Sequence, residues 1–298
     1  MLVAACAACA APTAGTRSAA APIAPSDQLY VSIGDSYAAG YQPSGPAAGA
    51  TTTNGFAYQL ADRSAAKGTG MRLVNFGCSG VTSTGLLNDR GCLRDALAPG
   101  APNYAGVPQA EAAGAFLRAH RGQVVLVTVV VGGNDVKPCL LTAQGRVRPD
   151  TVSCVAGAVA TLRSNLARLL GGVRAAVGPN VRVVGLTYPD MFLGAWVSGG
   201  PDGHEIATRS VSMFRDALNP TLRAEYAKAG ASFVDVTAAS GAYGSMADST
   251  AVPPYGPVPE PVAQACALTF YCEYGDPHPR TEGYTLIADL VQRTLPAS

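Results

Sequence analysis

The sequence predicts an α/β protein: a five-stranded, mostly parallel, doubly wound sheet between two helical layers, a three-layer α/β/α sandwich of flavodoxin-like type. Three observations predict it. Five short segments rich in Val, Leu or Ile recur along the 298 residues, each a continuous apolar run of the kind found in strands buried on both faces. Between them lie stretches whose apolar residues recur with helical spacing. A hydrophobic content of 48% over this length is enough for one large core and requires no second domain.

Each element has its own signal. The first strand is expected at 28–34, where Leu29-Tyr30-Val31-Ser32-Ile33 runs into Gly34-Asp35-Ser36. A helix follows, with Phe56, Ala57, Leu60 and Ala61 on one face behind Asn54 as its N-cap. The second strand, at 71–76, is followed by a helix over Ala110–Ala119. The third, at 124–131, runs into Gly132-Gly133-Asn134-Asp135 and is followed by a long helix over Val155–Val173. The fourth strand is expected at 181–187, then a helix over Ile206–Lys228, the fifth strand at 232–236 and a last helix over Thr281–Leu295. Strands alternating with helices imply right-handed crossovers and a parallel sheet. Pro253, Pro254, Pro257, Pro259 and Pro261 make the segment Ala238–Gln264 a long surface loop by expectation.

Composition narrows the function classes. A formal net charge of +1, with no basic run, gives no footprint for nucleic acid. No apolar run reaches the ~20 residues that span a bilayer. Residues 1–25, rich in Ala, Pro, Ser and Thr, read as a disordered linker preceded by a signal or lipoprotein-like remnant, and residues 26–298 as the domain. Small residues before Cys6 and Cys9 resemble a lipobox, in which either cysteine would be lipidated and anchor the chain to a membrane, although a positive n-region and a long apolar core are missing. Six further cysteines lie in close sequence pairs, which fits an exported protein, but 15 pairings remain open from sequence.

In open parallel sheets ligands bind at the carboxyl ends of the strands. Ser36, Gly77 and Asn134 each follow such an end, and His278 lies in the connection between the fifth strand and the last helix. A serine needs a base to become a nucleophile. Of the three histidines, His120 sits at a helix end and reads as structural, and nothing pairs His204 with a serine. His278, held between Pro277 and Pro279, is left as the base. Asp35 and Asp135 read as residues that hydrogen-bond their own turns. The Gly-x-Ser-x-Gly elbow, the dinucleotide fingerprint and the P-loop are absent, and no metal-ligand pattern appears, so no cofactor and no metal is implied.

Four blocks occur in a telling order: Gly34-Asp35-Ser36, Asn75-Phe76-Gly77-Cys78-Ser79-Gly80, Gly132-Gly133-Asn134-Asp135 and Asp276-Pro277-His278-Pro279. Together they resemble the GDSL family, also called SGNH hydrolases, over roughly residues 28–295. The resemblance implies the SGNH hydrolase fold and a secreted, disulfide-bearing esterase or lipase with Ser36 as nucleophile and His278 as base. It also implies an oxyanion hole made by the backbone N–H of Ser36, the N–H of Gly77 and the side-chain amide of Asn134. Relatives usually carry an Asp three residues before the His; here that place is Gly275, so either Asp276 or a backbone carbonyl of Glu273-Tyr274-Gly275 orients His278. By the same resemblance the disulfides are Cys78–Cys92, Cys139–Cys154 and Cys266–Cys272.

Tyr188, Met191, Phe192 and Trp196 follow the fourth strand and are expected to give apolar surface for an acyl chain, with Tyr41 and Tyr58 near Ser36; Trp196 would equally stack on a sugar ring. The substrate is expected to be a small-molecule or lipid ester, hydrolysed by a monomer. The alternative is a catalytically silent member that binds lipid or an acylated glycan in the same cleft.

Overall fold

The computed structural model describes residues 22–296 apart from 69, 143, 145 and 199. Cys6, Cys9 and the leader reading placed on them lie outside the described residues. The chain opens with β1 (Gln28–Gly34), buried at every position but the first. A one-turn helix α1 (Ser36–Ala39) follows, then an unforeseen antiparallel hairpin of β2 (Tyr41–Gly45) and β3 (Ala48–Thr51). Next come α2 (Phe56–Ala66), β4 (Met71–Asn75), α3 (Ser83–Asn88) and α4 (Gln109–Ala119). β5 (Val124–Val130) leads into α5 (Gly133–Leu140) and the long α6 (Thr151–Val177).

The second half continues with β6 (Arg182–Leu186), a short 3₁₀ turn at Met191–Gly194, α7 (Ala195–Ser198), α8 (Gly203–Ser212), α9 (Asn219–Lys228) and β7 (Ser232–Val234). It closes with α10 (Val236–Ala239), β8 (Ser249–Val252), β9 (Gly256–Pro259), α11 (Glu260–Leu268), α12 (Tyr271–Tyr274) and α13 (Thr281–Gln292).

The five expected strands form one parallel sheet in the order β4-β1-β5-β6-β7. Because β4 pairs on one side of β1 and every later strand on the other, the winding reverses between β1 and β5, and a crevice opens at their carboxyl ends. Ser36 follows β1 and Asn134 lies just beyond β5, so the two turns flank that crevice. α2 packs with α13 and lies on β4, whereas α6 packs with α4 and α9, which meet β1 and β6. Leu29, Val31, Ile33, Leu126, Val127 and Val129 are wholly enclosed between these layers.

Four local expectations are corrected. The segment Ala238–Gln264 is not a loop: it holds the β8–β9 hairpin and the start of α11. Pro257 and Pro259 sit in a two-stranded ribbon where few ladder donors are needed, and Pro261 lies in the first turn of α11, where a missing N–H costs nothing. Val258, Val262 and Ala265 bury a second apolar cluster with Leu193 and Ala207. The expected helix over Ile206–Lys228 is interrupted by a π-helical turn at Met213–Leu218, because Pro220 at the start of α9 cannot donate to the i−4 carbonyl. Asn54 does not cap α2; Gly55 holds that place, and the Asn54 amide donates to Gln42 instead. Residues 22–25, read as linker, are tied to the domain: the Pro22 carbonyl accepts from Arg72, the Ala24 carbonyl from Gln123, and Ile23 packs on the core.

Candidate active site

Asp35 follows β1 and caps α1, its Oδ1 accepting the Tyr37 N–H at 2.9 Å. That cap makes Ser36 the first residue of a helical turn, where a backbone N–H has no intrahelical acceptor. The second oxygen of Asp35 does more than cap its turn: it accepts the Tyr188 hydroxyl at 2.6 Å. The same hydroxyl accepts the Gly133 N–H at 3.0 Å, so one phenol joins the turn of Ser36 to the turn of Asn134. Burial pushes the Asp35 carboxyl up to about 7, against the hydrogen bonds from Tyr188 and Tyr37 that pull it back.

His278 reaches this turn from far along the chain. Its Nε2 lies 2.8 Å from Ser36 Oγ, and its Nδ1 lies 2.7 Å from Asp276 Oδ1. The same carboxylate oxygen accepts the His278 backbone N–H at 2.9 Å, which folds Asp276-Pro277-His278 into a tight turn. A carboxylate at Nδ1 selects the tautomer whose Nε2 is free to accept from Ser36. The offset of two residues therefore still lets Asp276 reach the ring, and Asp276 rather than a carbonyl of residues 273–275 occupies the Nδ1 partner position. Burial by itself would raise the Asp276 carboxyl, but the hydrogen bond and charge of His278 outweigh it and hold the group below its ordinary value.

The histidine turn is fastened on several sides. Tyr37 donates to the Pro277 carbonyl at 2.7 Å, Gln42 to the Pro279 carbonyl at 3.2 Å, and the Phe270 N–H to the His278 carbonyl at 3.0 Å. The Tyr41 ring lies 4.4 Å from the imidazole, centroid to centroid. The three disulfides are formed as Cys78–Cys92, Cys139–Cys154 and Cys266–Cys272. The first begins two residues before Gly80, the second ties α5 to α6, and the third clamps α11 to α12 just before Asp276.

Gly77 stands elsewhere than expected. It is buried beneath α1, its N–H donates to Asn75 Oδ1 at 2.9 Å, and a Cβ there would lie 2.5 Å from the Ala39 nitrogen. Its smallness serves close packing, and its donor is already engaged. Gly80, three residues on, is exposed, adopts a left-handed φ of 84°, and its N–H has no acceptor among the described residues. Asn134 donates one amide hydrogen to the Val81 carbonyl at 3.0 Å, which lays its side chain against the Gly80-Val81 backbone. Asp135 was expected to serve its own turn; it instead accepts from the backbone and hydroxyl of Ser83 and so ties α5 to α3.

A small recess adjoins the serine, lined by Ser36, Asn134, Tyr188, Met191, Phe192, Phe214, Lys137 and His278 among others. Trp196 is not among its walls: it stacks on His204 at 3.7 Å and packs against the second apolar cluster. Tyr58 donates to the Pro99 carbonyl. His120 caps the end of α4 and meets Gln123. A larger cavity of about 560 Å³ lies around Gln28, Met71, Val183 and Gln292, with no histidine or acid in its walls. Among the described residues no group of three or more His, Cys, Asp or Glu is placed to hold a metal ion.

Gly80, Phe214 and the Tyr188 bridge were missed in the sequence. Gly80 lies inside the second of the four blocks, and its signal was position: the outer glycine of the turn stays exposed while the inner one packs. Gln109 was missed as well; buried at the head of α4, it donates to the Gly34 and Phe76 carbonyls and accepts from Gly34, clipping the ends of β1 and β4 together.

Residues 32–286 match the GDSL-like Lipase/Acylhydrolase family. No curated protein matches the chain. Among solved structures, it is similar to a lipase from a goat rumen metagenome, with 15% identity, a TM-score of 0.52, and 89% of this chain and 96% of that one covered. An α/β hydrolase from the metagenome of Lake Arreo, Spain, shows 18% identity and a TM-score of 0.48, covering 89% and 94%. An acetylxylan esterase from Geobacillus stearothermophilus shows 13% identity and a TM-score of 0.45, covering 90% and 94%. At such identities the lipase likeness speaks for the fold alone, whereas the family match spans most of the sheet and every segment of the site: the chain belongs to the GDSL-like lipase/acylhydrolase family and is a carboxylic ester hydrolase.

Proposed function

We propose that the protein is an exported serine esterase working through an acyl-enzyme. The observation that carries this is the unbroken line from Ser36 Oγ to His278 Nε2 at 2.8 Å and from His278 Nδ1 to Asp276 at 2.7 Å. As Ser36 Oγ attacks the ester carbonyl, its proton passes to His278 Nε2 and the carbonyl π pair moves onto oxygen. The Ser36 N–H and the second amide hydrogen of Asn134 are the donors for that oxyanion, with the Gly80 N–H in the place first given to Gly77. Collapse breaks the C–O bond to the alcohol, which leaves with the proton from His278. Water, deprotonated by the same nitrogen, then attacks the acyl-enzyme, and the carboxylic acid departs as Ser36 recovers its proton.

Three disulfides support an oxidising compartment. Among the described residues no helix is long and apolar enough to cross a membrane. The displaced Asp276 was the best support for a silent binder, and the contact between Asp276 and His278 speaks instead for the active reading. The test is hydrolysis of a chromogenic short-chain ester together with labelling by a serine-reactive phosphonate. Ser36→Ala should lose on the order of 10⁶ in kcat and all labelling, with unchanged thermal unfolding. Retention of more than a few per cent of the activity would remove Ser36 as nucleophile.

A further inference from the structure

The recess beside Ser36 is small, and its size is fixed by the core. Its volume is about 40 Å³. A cavity that takes up benzene measures roughly 150 Å³. The lining of the recess includes the apolar side chains of Tyr188, Met191, Phe192 and Phe214. These side chains are only 1%, 4%, 3% and 1% exposed and belong to the main hydrophobic core. None of them can swing aside without opening that core. Tyr188 is further pinned through its hydroxyl by Asp35 and Gly133, and Phe192 packs edge-on against Tyr271 at 5.7 Å.

Position identifies which half of an ester enters. Besides the Ser36 turn and the Pro277-His278 turn, the lining comes from the connections after β5 and β6, so the recess lies on that side of the crevice. Gly80 follows β4, on the opposite flank of β1, and is exposed. His278 lines the recess as well, so size makes the assignment: an alcohol of more than a few atoms has room only outside, and the acyl group is left to the recess. From these observations, and resting on the serine-esterase reading above, we infer that the recess is an acyl pocket whose core side chains leave room for about two to three carbons, and that the substrates are esters of acetyl or similarly short acyl groups on bulky alcohols.

The closing experiment uses the full chain and two ester series. In the first, p-nitrophenyl acetate, butyrate, hexanoate and decanoate vary the acyl group alone. kcat/KM should be highest for acetate and fall roughly 10- to 100-fold by hexanoate, since overfilling a packed site outweighs the gain from burying methylenes. In the second, acetate esters of alcohols of increasing size should vary by less than about tenfold. Phe192→Ala should raise the hexanoate-to-acetate ratio by about tenfold or more; Met191→Ala, the smaller change, should raise it in the same direction if Phe192→Ala does not fold. A wild-type profile that is flat or rises with acyl length overturns the inference, as does steep selectivity in the alcohol series with none in the acyl series. Either result, with Ser36→Ala still inactive, would leave the esterase reading standing; activity in Ser36→Ala would instead remove the esterase reading itself.

Discussion

Asp276→Asn exchanges a carboxylate for a neutral group of the same shape in contact with both the ring and the backbone of His278. The asparagine oxygen can still accept the backbone N–H and the Nδ1–H, so the turn and the tautomer survive and the missing quantity is the negative charge that supports the imidazolium. With an oxygen 2.7 Å from Nδ1, the charge centres lie about 4 Å apart, which gives about 4 kcal/mol at an effective dielectric of about 20. The side chains of His278 and Asp276 are 16% and 24% exposed, and water will take part of that. The expected loss is thus about 10²- to 10³-fold in kcat, below the roughly 10⁴-fold seen where the same exchange also selects the wrong histidine tautomer. Steady-state kinetics on the acetate ester, with KM little changed, would read it. The Asp276 carboxyl lies below its ordinary value in the fold, so its contribution to stability is complete above the usual aspartate range and disappears as pH falls through the lowered value. The difference in unfolding temperature between wild type and Asp276→Asn should therefore close in acid. A kcat loss under about tenfold would refute the reasoning and leave a Ser–His dyad oriented by the turn alone.

Three other outcomes follow from the same geometry. Burial pushes the Asp190 carboxyl up to about 7 despite hydrogen bonds from Ser210 and Phe192, so the fold binds a proton the unfolded chain has released, and stability falls as pH rises from about 4 to about 7. Asp190→Asn should raise the unfolding temperature by about 3 °C or more near pH 8 and hardly at all near pH 4; an equal gain at both would contradict this. Gly77→Ala should cost about 1–3 kcal/mol of stability because its Cβ meets the backbone of α1, whereas Gly80→Ala, with open space around it, should cost no more than the ~1–2 kcal/mol of a left-handed residue. Urea titration would decide, and a harmless Gly77→Ala with a 10²-fold loss of kcat would restore Gly77 to the oxyanion hole. Removing the Cys266–Cys272 bridge, which spans 6 residues, should cost about 2 kcal/mol, less than the ~3 kcal/mol of Cys139–Cys154 at 15 residues. It should nevertheless lower kcat more, since it clamps the helices that hold the His278 turn; kcat losses ranked in the same order as the stability losses would count against that link.

The sequence by itself determined the sheet and the chemistry. Apolar runs at 28–34, 71–76, 124–131, 181–187 and 232–236 became β1, β4, β5, β6 and β7 with ends moved by a residue or two, because a strand buried on both faces must be continuously apolar. Ser36, Asn134 and His278 were legible because their chemistry is rare and each follows a strand or precedes the last helix. Proline content misled at Ala238–Gln264, since proline stops a helix only in its interior and Pro261 stands in the first turn. The tertiary structure alone decided what depends on distance across the chain. No local pattern shows that Tyr188 would bridge Asp35 and Gly133, that Asp135 would reach Ser83, or that Trp196 would stack on His204 rather than face the serine. The same holds for Gly77 and Gly80: two glycines three residues apart are equivalent in a string of letters, and only the approach of α1 makes one of them packing and leaves the other exposed. Periodicity reports which face of an element is buried, whereas which groups meet at a site is set by how the crossovers bring the strand ends together.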